Sequence, residues 1–230
     1  MSTATRYKHL RAEIDKECKQ LGRNPEEVLL LAVSKTVDVD QVQVAIDAGA
    51  TAFGENRPDE LLRKHAAFPQ VAWHFIGNIQ SRRIHDIVSC ATLIHSVSKE
   101  EHLPKINHAA QALDKVQHVL LEVNVSGEES KSGFKPEEVE GVLDRAQALS
   151  HVAIDGLMTM APQGDAKAID FTFSGLQKLE MSLNDHLKVQ GNSHQLSILS
   201  MGMTEDWPVA VKYGSTIVRL GRAVFSESFE

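Results

Sequence analysis

The first candidate for chemistry is a lysine that follows a buried segment. Residues 28–34 read VLLLAVS, and Lys35 comes next. A lysine in this position can simply extend its charge into solvent. It can also react, because apolar surroundings disfavour the ammonium form, and a neutral amine forms a Schiff base with a carbonyl group. The residues that share its surroundings decide between a solvated strand end and a reactive amine.

Three polar residues accompany other apolar segments. Asn56 follows TAFGE (51–55), where an asparagine either completes a turn or offers its amide to a ligand oxygen. His74 in WHFIG is either a hydrogen-bonded structural histidine or part of a site. Arg219 stands inside the apolar segment IVRL, and a buried guanidinium needs a partner. That partner is a carboxylate of the protein or the nitrogen of a bound pyridine ring, which the arginine would keep unprotonated.

Two glycine-containing segments, SMGM (200–203) and RLGR (219–222), have the composition of an anion site. Their candidate residues are Ser200, Met201, Gly202, Gly221 and Arg222. Glycine lets a ligand approach the main chain, whose N–H groups bind phosphate. Glu205 and Asp206 would repel an anion if they faced it. Pyridoxal 5'-phosphate (PLP) is one ligand that offers both a carbonyl group for the lysine and a phosphate group for such a site, although SMGM taken alone is a weak signal.

Short apolar segments alternate with helical patterns along the whole chain, and they must position these residues. Eight segments have the length and composition of buried strands. They are 28–34, 51–55, 71–76, 92–97, 119–125, 152–160, 196–201 and 215–221. Eight such strands alternating with helices predict an α/β fold, a single (β/α)8 TIM-type barrel domain over residues 1–230. The candidate residues then share the rim at the carboxyl ends of the strands, where barrels of this type have their active sites.

The helices have their own start and stop signals. Apolar residues at helical spacing from Tyr7 to Leu21 predict an extra N-terminal helix before the first strand. The other signals are Pro58 and Pro136 as first helical residues, a capping box from Ser98 to Glu101, and Gly49 and Gly214 as helix stops.

Composition excludes several classes of function. The net charge of −7 offers no basic surface for nucleic acid, and no apolar segment approaches the roughly 18 residues of a membrane span. The N-terminus lacks the apolar region of a secretory signal. Cys18 and Cys90 form no disulfide framework and have no metal-ligand spacing. We therefore expect a cytoplasmic protein with reduced thiols and without a bound metal.

These segments resemble a known family, the pyridoxal phosphate homeostasis proteins, which are single-domain relatives of the alanine racemase barrel. The similarity covers essentially the whole chain in eight ordered blocks. The blocks are LLAVSKT (30–36), FGEN (53–56), WHFIGNIQ (73–80), HSV (95–97), VNVSGEESKSGF (123–134), GLMTM (156–160), LSMGMTED (199–206) and GSTIVRLG (214–221). The resemblance implies that Lys35 holds PLP as a Schiff base. It also implies phosphate contacts from Ser200, Met201, Gly202, Gly221 and Arg222, with Asn56 and Arg219 near the ring.

Two residues depart from the family's usual pattern. Family members commonly continue FGEN with a tyrosine and end strand 8 with RIGT, whereas this chain has Arg57 and Arg222. The second change removes a hydroxyl group near the expected phosphate. Because a guanidinium group suits oxyanions, we expect altered contacts and retained binding.

The resemblance implies a non-catalytic protein that stores PLP or delivers it to PLP-dependent apoenzymes. Because the sequence shows no second domain that would complete a site between subunits, we expect a monomer. The alternative is a PLP-dependent amino-acid racemase, which needs an acid or base on each face of the Cα carbanion. Tyr7 and Tyr213 are predicted away from the rim, whereas His74 could serve as the second base. A third possibility is a sugar-phosphate enzyme that uses Lys35 without PLP. Lys131, in a polar loop, is a second candidate lysine that we rank below Lys35.

Overall fold

The computed structural model describes residues 1–227, and they form a closed barrel of eight parallel strands in the order β1 to β8, with β8 paired to β1. The strands are β1 Leu29–Val33, β2 Ala52–Glu55, β3 Ala72–Phe75, β4 Leu93–Val97, β5 Gln117–Glu122, β6 Val152–Met158, β7 Ile198–Ser200 and β8 Ile217–Leu220. The predicted barrel and its eight strands are confirmed. The predicted domain range 1–230 stays a prediction, and residues 228–230 lie outside the described part.

Helices surround the barrel and separate consecutive strands. They are α1 Thr3–Gln20, α2 Val39–Asp47, α3 Pro58–Ala67, α4 Ile84–Cys90, α5 His102–Ala112, α6 Pro136–Ala146, α7 Ala166–Val189, α8 Trp207–Lys212 and α9 Arg222–Phe225. The predicted N-terminal helix is α1, which buries Ile14 and Cys18 fully and contacts α2, α8 and α9. Within the described chain, every helix is too short or too polar to cross a bilayer.

Most helix signals in the sequence are confirmed. Pro58 and Pro136 are the first residues of α3 and α6, where the missing N–H costs no helical hydrogen bond. Gly49 and Gly214 follow α2 and α8 with φ of +104° and +88°, a conformation that favours glycine. The capping box from Ser98 is wrong, because α5 begins only at His102 and residues before it form a turn.

The carboxyl end of β5 also differs from the prediction. The sequence extends this strand to residue 125, whereas it ends at Glu122. The Val123 N–H still donates to the Met158 carbonyl of β6 at 2.8 Å. The loop then closes on itself: the Asn124 N–H donates to the Phe134 carbonyl, and the Phe134 N–H donates to the Glu122 carbonyl, at 2.9 and 2.8 Å. Local closure of the loop therefore takes over from the barrel pairing at Asn124.

Each strand has an inner face toward the barrel axis and an outer face toward the helices. The inner apolar cluster contains Leu31, Ala52, Leu93, Leu120, Met158 and Ile217. The outer face joins the main core, where Phe53 and Trp73 pack with ring centroids 5.4 Å apart. Burying one large apolar side chain contributes about 1.5–3 kcal/mol, so both layers stabilise the barrel.

A polar layer lies above the inner apolar cluster. Side chains on one face of a strand recur every second residue. Two residues beyond members of the inner cluster, or beyond apolar residues packed against it, come His74, His95, Glu122, Ser200 and Arg219. The rim lies above this layer. Lys35 and Asn56 come four residues after the inner residues Leu31 and Ala52, and Gly202 and Gly221 come two residues after Ser200 and Arg219. The barrel thus places a polar floor under the rim that carries the candidate residues.

Candidate functional site

Lys35 lies in the turn that follows β1, and its side chain is exposed. Leu31 belongs to the inner cluster, and continued alternation through Val33 puts Lys35 on the same inner side. Within residues 1–227 its ammonium group forms no hydrogen bond or ion pair. The lysine is therefore available at the barrel mouth.

The backbone directly before Lys35 is held by a buried ion pair on the outer face of the barrel. The fully buried Lys64 of α3 donates to the Ser34 carbonyl at 2.7 Å and to the equally buried carboxylate of Glu55 at 2.6 Å. The Ser34 hydroxyl donates to the same Glu55 oxygen at 2.6 Å. Nothing in the described chain bonds to the second carboxylate oxygen, Oε2. These contacts fix the end of β1 at the residue that precedes the candidate amine.

The sequence analysis missed this ion pair. Its signal was available, because Lys64 stands three residues after the buried Leu61 of α3 and so shares the face that packs on the barrel. A lysine on that face requires a buried partner. The sequence does not show which carboxylate is that partner, because Glu55 and Lys64 meet only through the packing of α3 on β2.

Four residues of the polar layer form one hydrogen-bonded chain across the barrel. Nδ1 of His74 lies 2.9 Å from Nε2 of His95. Nδ1 of His95 lies 2.8 Å from Oγ of Ser200, and the same oxygen accepts a hydrogen bond from Nη1 of Arg219 at 2.7 Å. Arg219 donates further to the carbonyl oxygens of Ser200 and Thr159, at 2.7 and 3.0 Å. The chain joins β3, β4, β7 and β8 and gives the predicted Arg219 its partners.

Burial sets the charges in this layer. It lowers the pKa of Arg219 to about 10, against the nearby carboxylates of Asp206 and Glu122, so the guanidinium stays charged at neutral pH. Burial lowers the pKa of His74 to about 4. Burial, with the charges of His74 and Arg219, holds the pKa of His95 well below its usual range. Both imidazoles are therefore neutral.

A carboxyl group that was not among the predicted site residues also belongs to this layer. Glu122 ends β5 and is buried. Burial raises the pKa of its carboxyl group, and the charge of Arg219 opposes that shift. Its position two residues after Leu120, an inner apolar residue, was readable from the alternation once the strand ends were known.

The loop after β7 has the features of an anion cradle. Gly202 has φ of +97°, and a Cβ atom there would lie 2.6 Å from the Ala210 Cβ and 3.0 Å from the Trp207 Cα. In the described residues, the N–H groups of Gly202 and Thr204 donate to no protein acceptor. Glycine at this position therefore leaves open a turn with unpaired amide donors.

The two acidic residues of this loop are both engaged. The carboxylate of Asp206 accepts from the Met203 N–H inside the loop. Burial raises the pKa of Asp206, and that hydrogen bond opposes the shift. Glu205 pairs with Arg222 at 2.7 Å on the surface. The repulsion of an anion that the sequence suggested is thus reduced by protein partners.

The remaining predicted site residues lie at different depths. Met201 is fully buried in the outer core, so only its backbone faces the loop. Gly221 follows β8 beside β1, where a Cβ atom would lie 3.2 Å from the Val33 carbonyl oxygen. Asn56 is exposed after β2, and its backbone crowds Gly77, where a Cβ atom would lie 2.1 Å from the Asn56 oxygen. Both therefore remain at the rim with Lys35.

The residues that the alternatives require lie elsewhere or have other partners. Tyr213, before β8, donates its hydroxyl to Asp170 at 2.7 Å. Tyr7 lines a cavity together with Leu29 and other residues near the amino ends of the strands. Lys131 donates to the Met160 carbonyl at 3.1 Å and pairs with Glu128. Of the described lysines considered for the site, Lys35 is the one with an unpaired ammonium group.

The arrangement combines three kinds of groups at one end of the barrel: an available amine, a buried guanidinium and a loop with unpaired N–H donors. A family model described as alanine racemase, N-terminal domain, matches residues 7–228. The fold and the rim thus define a barrel of that class. Within it, the chain belongs to the family of pyridoxal phosphate homeostasis proteins, because members of that family are 34% identical to it over more than nine-tenths of its length.

Individual relatives support this assignment over nearly the whole length. The pyridoxal phosphate homeostasis protein of Aquifex aeolicus is 34% identical over 230 residues, which cover 99% of each chain. An unknown protein from Bifidobacterium adolescentis has a TM-score of 0.89 at 33% identity, covering 97% of this chain and 94% of that one. PipY of Synechococcus elongatus with PLP bound has a TM-score of 0.81 at 30% identity, covering 93% of this chain and 100% of that one.

Proposed function

We propose that this protein binds PLP reversibly through Lys35 and serves intracellular PLP homeostasis without catalysing a reaction of its own. The observation that carries the proposal is the position of an exposed, unpaired lysine on the same rim as an anion cradle and above a buried arginine. PipY, a relative at 30% identity, has been solved with PLP bound. The bond would form between the lysine amine and the aldehyde carbon, with release of one water molecule.

The loop after β7 fits the phosphate group of PLP. Its N–H groups at Gly202 and Thr204 are unpaired, and a side chain at Gly202 would fill the turn. Ser200 is fully buried and engaged with His95 and Arg219, so its hydroxyl supports the floor of the site. In this proposal the backbone amides hold the phosphate, and Gly221 and Arg222 border it from the start of α9.

Arg219 fits the ring nitrogen. It is a permanent donor, and its Nε–H has no acceptor among the described residues. A guanidinium opposite the pyridine nitrogen keeps that nitrogen unprotonated and makes the ring a weaker electron sink. PLP supplies electron withdrawal when it is bound, and Arg219 would weaken that electron withdrawal by keeping the ring nitrogen unprotonated. Asn56, the first residue after β2, lies at the rim and would bond the phenolic oxygen of PLP.

The non-catalytic proposal is supported by where the structure puts the two tyrosines and His74, the residues of the described chain that were considered as the second acid or base. Racemisation needs a proton donor or acceptor on each face of a carbanion. Neither tyrosine lies at the mouth, and His74, the remaining candidate base, is buried with its Nδ1 bonded to His95. Racemase activity of the PLP-loaded protein toward amino acids would favour the alternative, and it can be measured by chiral chromatography.

The direct test is reduction with borohydride followed by peptide mass mapping. The protein incubated with PLP should show a visible absorption band, and reduction should leave a pyridoxyl group on Lys35. Lys35→Ala should lose the band while its circular dichroism stays unchanged. Lys99→Ala, which removes an exposed lysine after β4 at the same rim, is the matched control and should keep the band. A label on Lys131, or a protein that stays colourless, would contradict the proposal.

The remaining expectations concern partners and location. We propose PLP-dependent apoenzymes as recipients of the cofactor, a monomeric state and a cytoplasmic location. The two free cysteines suit a reducing compartment. Light scattering tests the first two: addition of an apoenzyme should produce at most a transient complex, and the protein alone should have the mass of one chain.

A further inference from the structure

The hydrogen-bonded chain beneath the rim has a direction that its own chemistry determines. Arg219 can only donate, so Oγ of Ser200 is an acceptor in their 2.7 Å contact. The Ser200 hydroxyl then has one proton left to donate. Within the described residues, the one other group bonded to Oγ is Nδ1 of His95, at 2.8 Å.

The direction of the hydrogen bond between Ser200 and His95 also determines which nitrogen of His74 carries a proton. Both rings are neutral, so each carries one N–H. If Nδ1 of His95 accepts the Ser200 proton, its Nε2 is protonated and donates to Nδ1 of His74 at 2.9 Å. His74 must then carry its own proton on Nε2. The opposite direction would leave the fully buried Ser200 hydroxyl without an acceptor, which is unfavourable.

We propose that Ser200 and His95 are positioning residues that transmit the donor character of Arg219 to His74, so that Nε2–H of His74 is a fixed hydrogen-bond donor for an oxygen of the bound cofactor. The inference rests on the proposed function, because the acceptor belongs to PLP. His74 lies on the inner face below the rim, and its Nε2 has no partner among the described residues. The cation at the far end polarises each successive bond and strengthens the last donor.

Histidine side-chain ¹⁵N NMR on the full chain without PLP tests the direction first. Both rings should show a protonated Nε2 and a bare Nδ1 at neutral pH, with signals assigned through His74→Gln and His95→Gln. A protonated Nδ1 on either ring would overturn the inference, whether or not PLP binds. Absence of PLP binding with both predicted tautomers would instead overturn the proposed function.

Breaking the hydrogen-bonded chain at Ser200 tests its effect on PLP affinity. Ser200→Ala removes the only hydroxyl, so His95 should lose its tautomer preference and PLP should bind about tenfold more weakly. Ser200→Thr, which restores the hydroxyl, should recover the tautomer. His102→Gln changes a buried histidine of α5 outside this chain and should alter neither quantity. Unchanged affinity in a folded Ser200→Ala protein would contradict the proposed role, and should that variant not fold, the tautomers of the unmodified protein decide the direction.

Discussion

Replacing Lys64 by methionine is the sharpest test of how the rim is held. The side chain of Lys64 has no exposed surface, and it is the cation for Glu55, which is equally buried. Methionine keeps most of the volume and removes the charge. Glu55 would then be a carboxylate without a counter-ion, and Oε2 already lacks a hydrogen-bond partner in the described residues. The Ser34 carbonyl would also lose its 2.7 Å donor.

The expected cost follows from the burial. Removing one member of a buried ion pair typically destabilises a protein by about 3–5 kcal/mol, because an uncompensated charge remains. Loss of a donor to a buried carbonyl contributes about 1–3 kcal/mol. We expect a total near the upper part of the first range, since both effects arise at one nitrogen. This is a large share of the roughly 5–15 kcal/mol by which a domain is stable.

Urea unfolding followed by circular dichroism measures this cost. With a slope of about 3 kcal/mol per molar urea, the midpoint should fall by about 1–2 M. Glu55→Gln combined with Lys64→Met removes the uncompensated charge and should recover much of the stability. An unchanged midpoint for Lys64→Met would refute the idea that this pair holds the end of β1.

Three further predictions concern the floor, the cradle and the barrel itself. Burial lowers the pKa of His74 to about 4 from 6.5, so only the unfolded chain takes up this proton between those pH values. The free energy of unfolding should therefore fall by about 3 kcal/mol on acidification through this window. In parallel pH titrations the free energy of unfolding of His74→Gln should fall by less. Gly202→Ala should weaken PLP binding at least about tenfold in fluorescence titrations, because φ is +97° and Cβ would meet Ala210. Gly164 has φ of +79° with open space around it, so Gly164→Ala tests backbone strain without crowding. Equal effects of Gly164→Ala and Gly202→Ala on PLP binding would argue against a cradle. Gly156→Ala would place Cβ 1.9 Å from the Ile198 carbonyl oxygen, so the β6–β7 pairing should fail and the protein should accumulate as insoluble material; a soluble variant with unchanged thermal unfolding would contradict this.

The barrel was readable from the sequence because each strand is a separate short apolar segment between helix signals. Lys35 and Gly202 then follow their strands at positions that the topology brings to one rim. The pairing of Lys64 with Glu55 was not readable, because it depends on how one helix packs on one strand. The helix start at Ser98 was predicted wrongly from residues that have the composition of a capping box, because residues 99–101 form a turn and α5 begins at His102.

His95 shows what the alternation of inner and outer residues along a strand predicts and what it does not predict. Its placement on the inner face follows from Leu93, two residues earlier. Its bond to Ser200, which is 105 residues away in the chain, follows only from the closure of the barrel. A sequence therefore predicts that a polar layer exists, and the fold alone decides which polar groups satisfy one another.

The same two layers explain how one site could hold a cofactor and still release it. The groups around the amine are held by contacts within the protein: the ion pair fixes Ser34 on the outer face, and the chain from Arg219 orders the inner floor. Such preorganisation lowers the ordering cost of binding. In the proposed function Lys35 would carry the cofactor, and its exposed side chain would leave that bond open to an incoming amine. A hydrogen-bonded floor beneath an accessible amine would then favour exchange of the cofactor between amines, which is the chemistry that storage and delivery require.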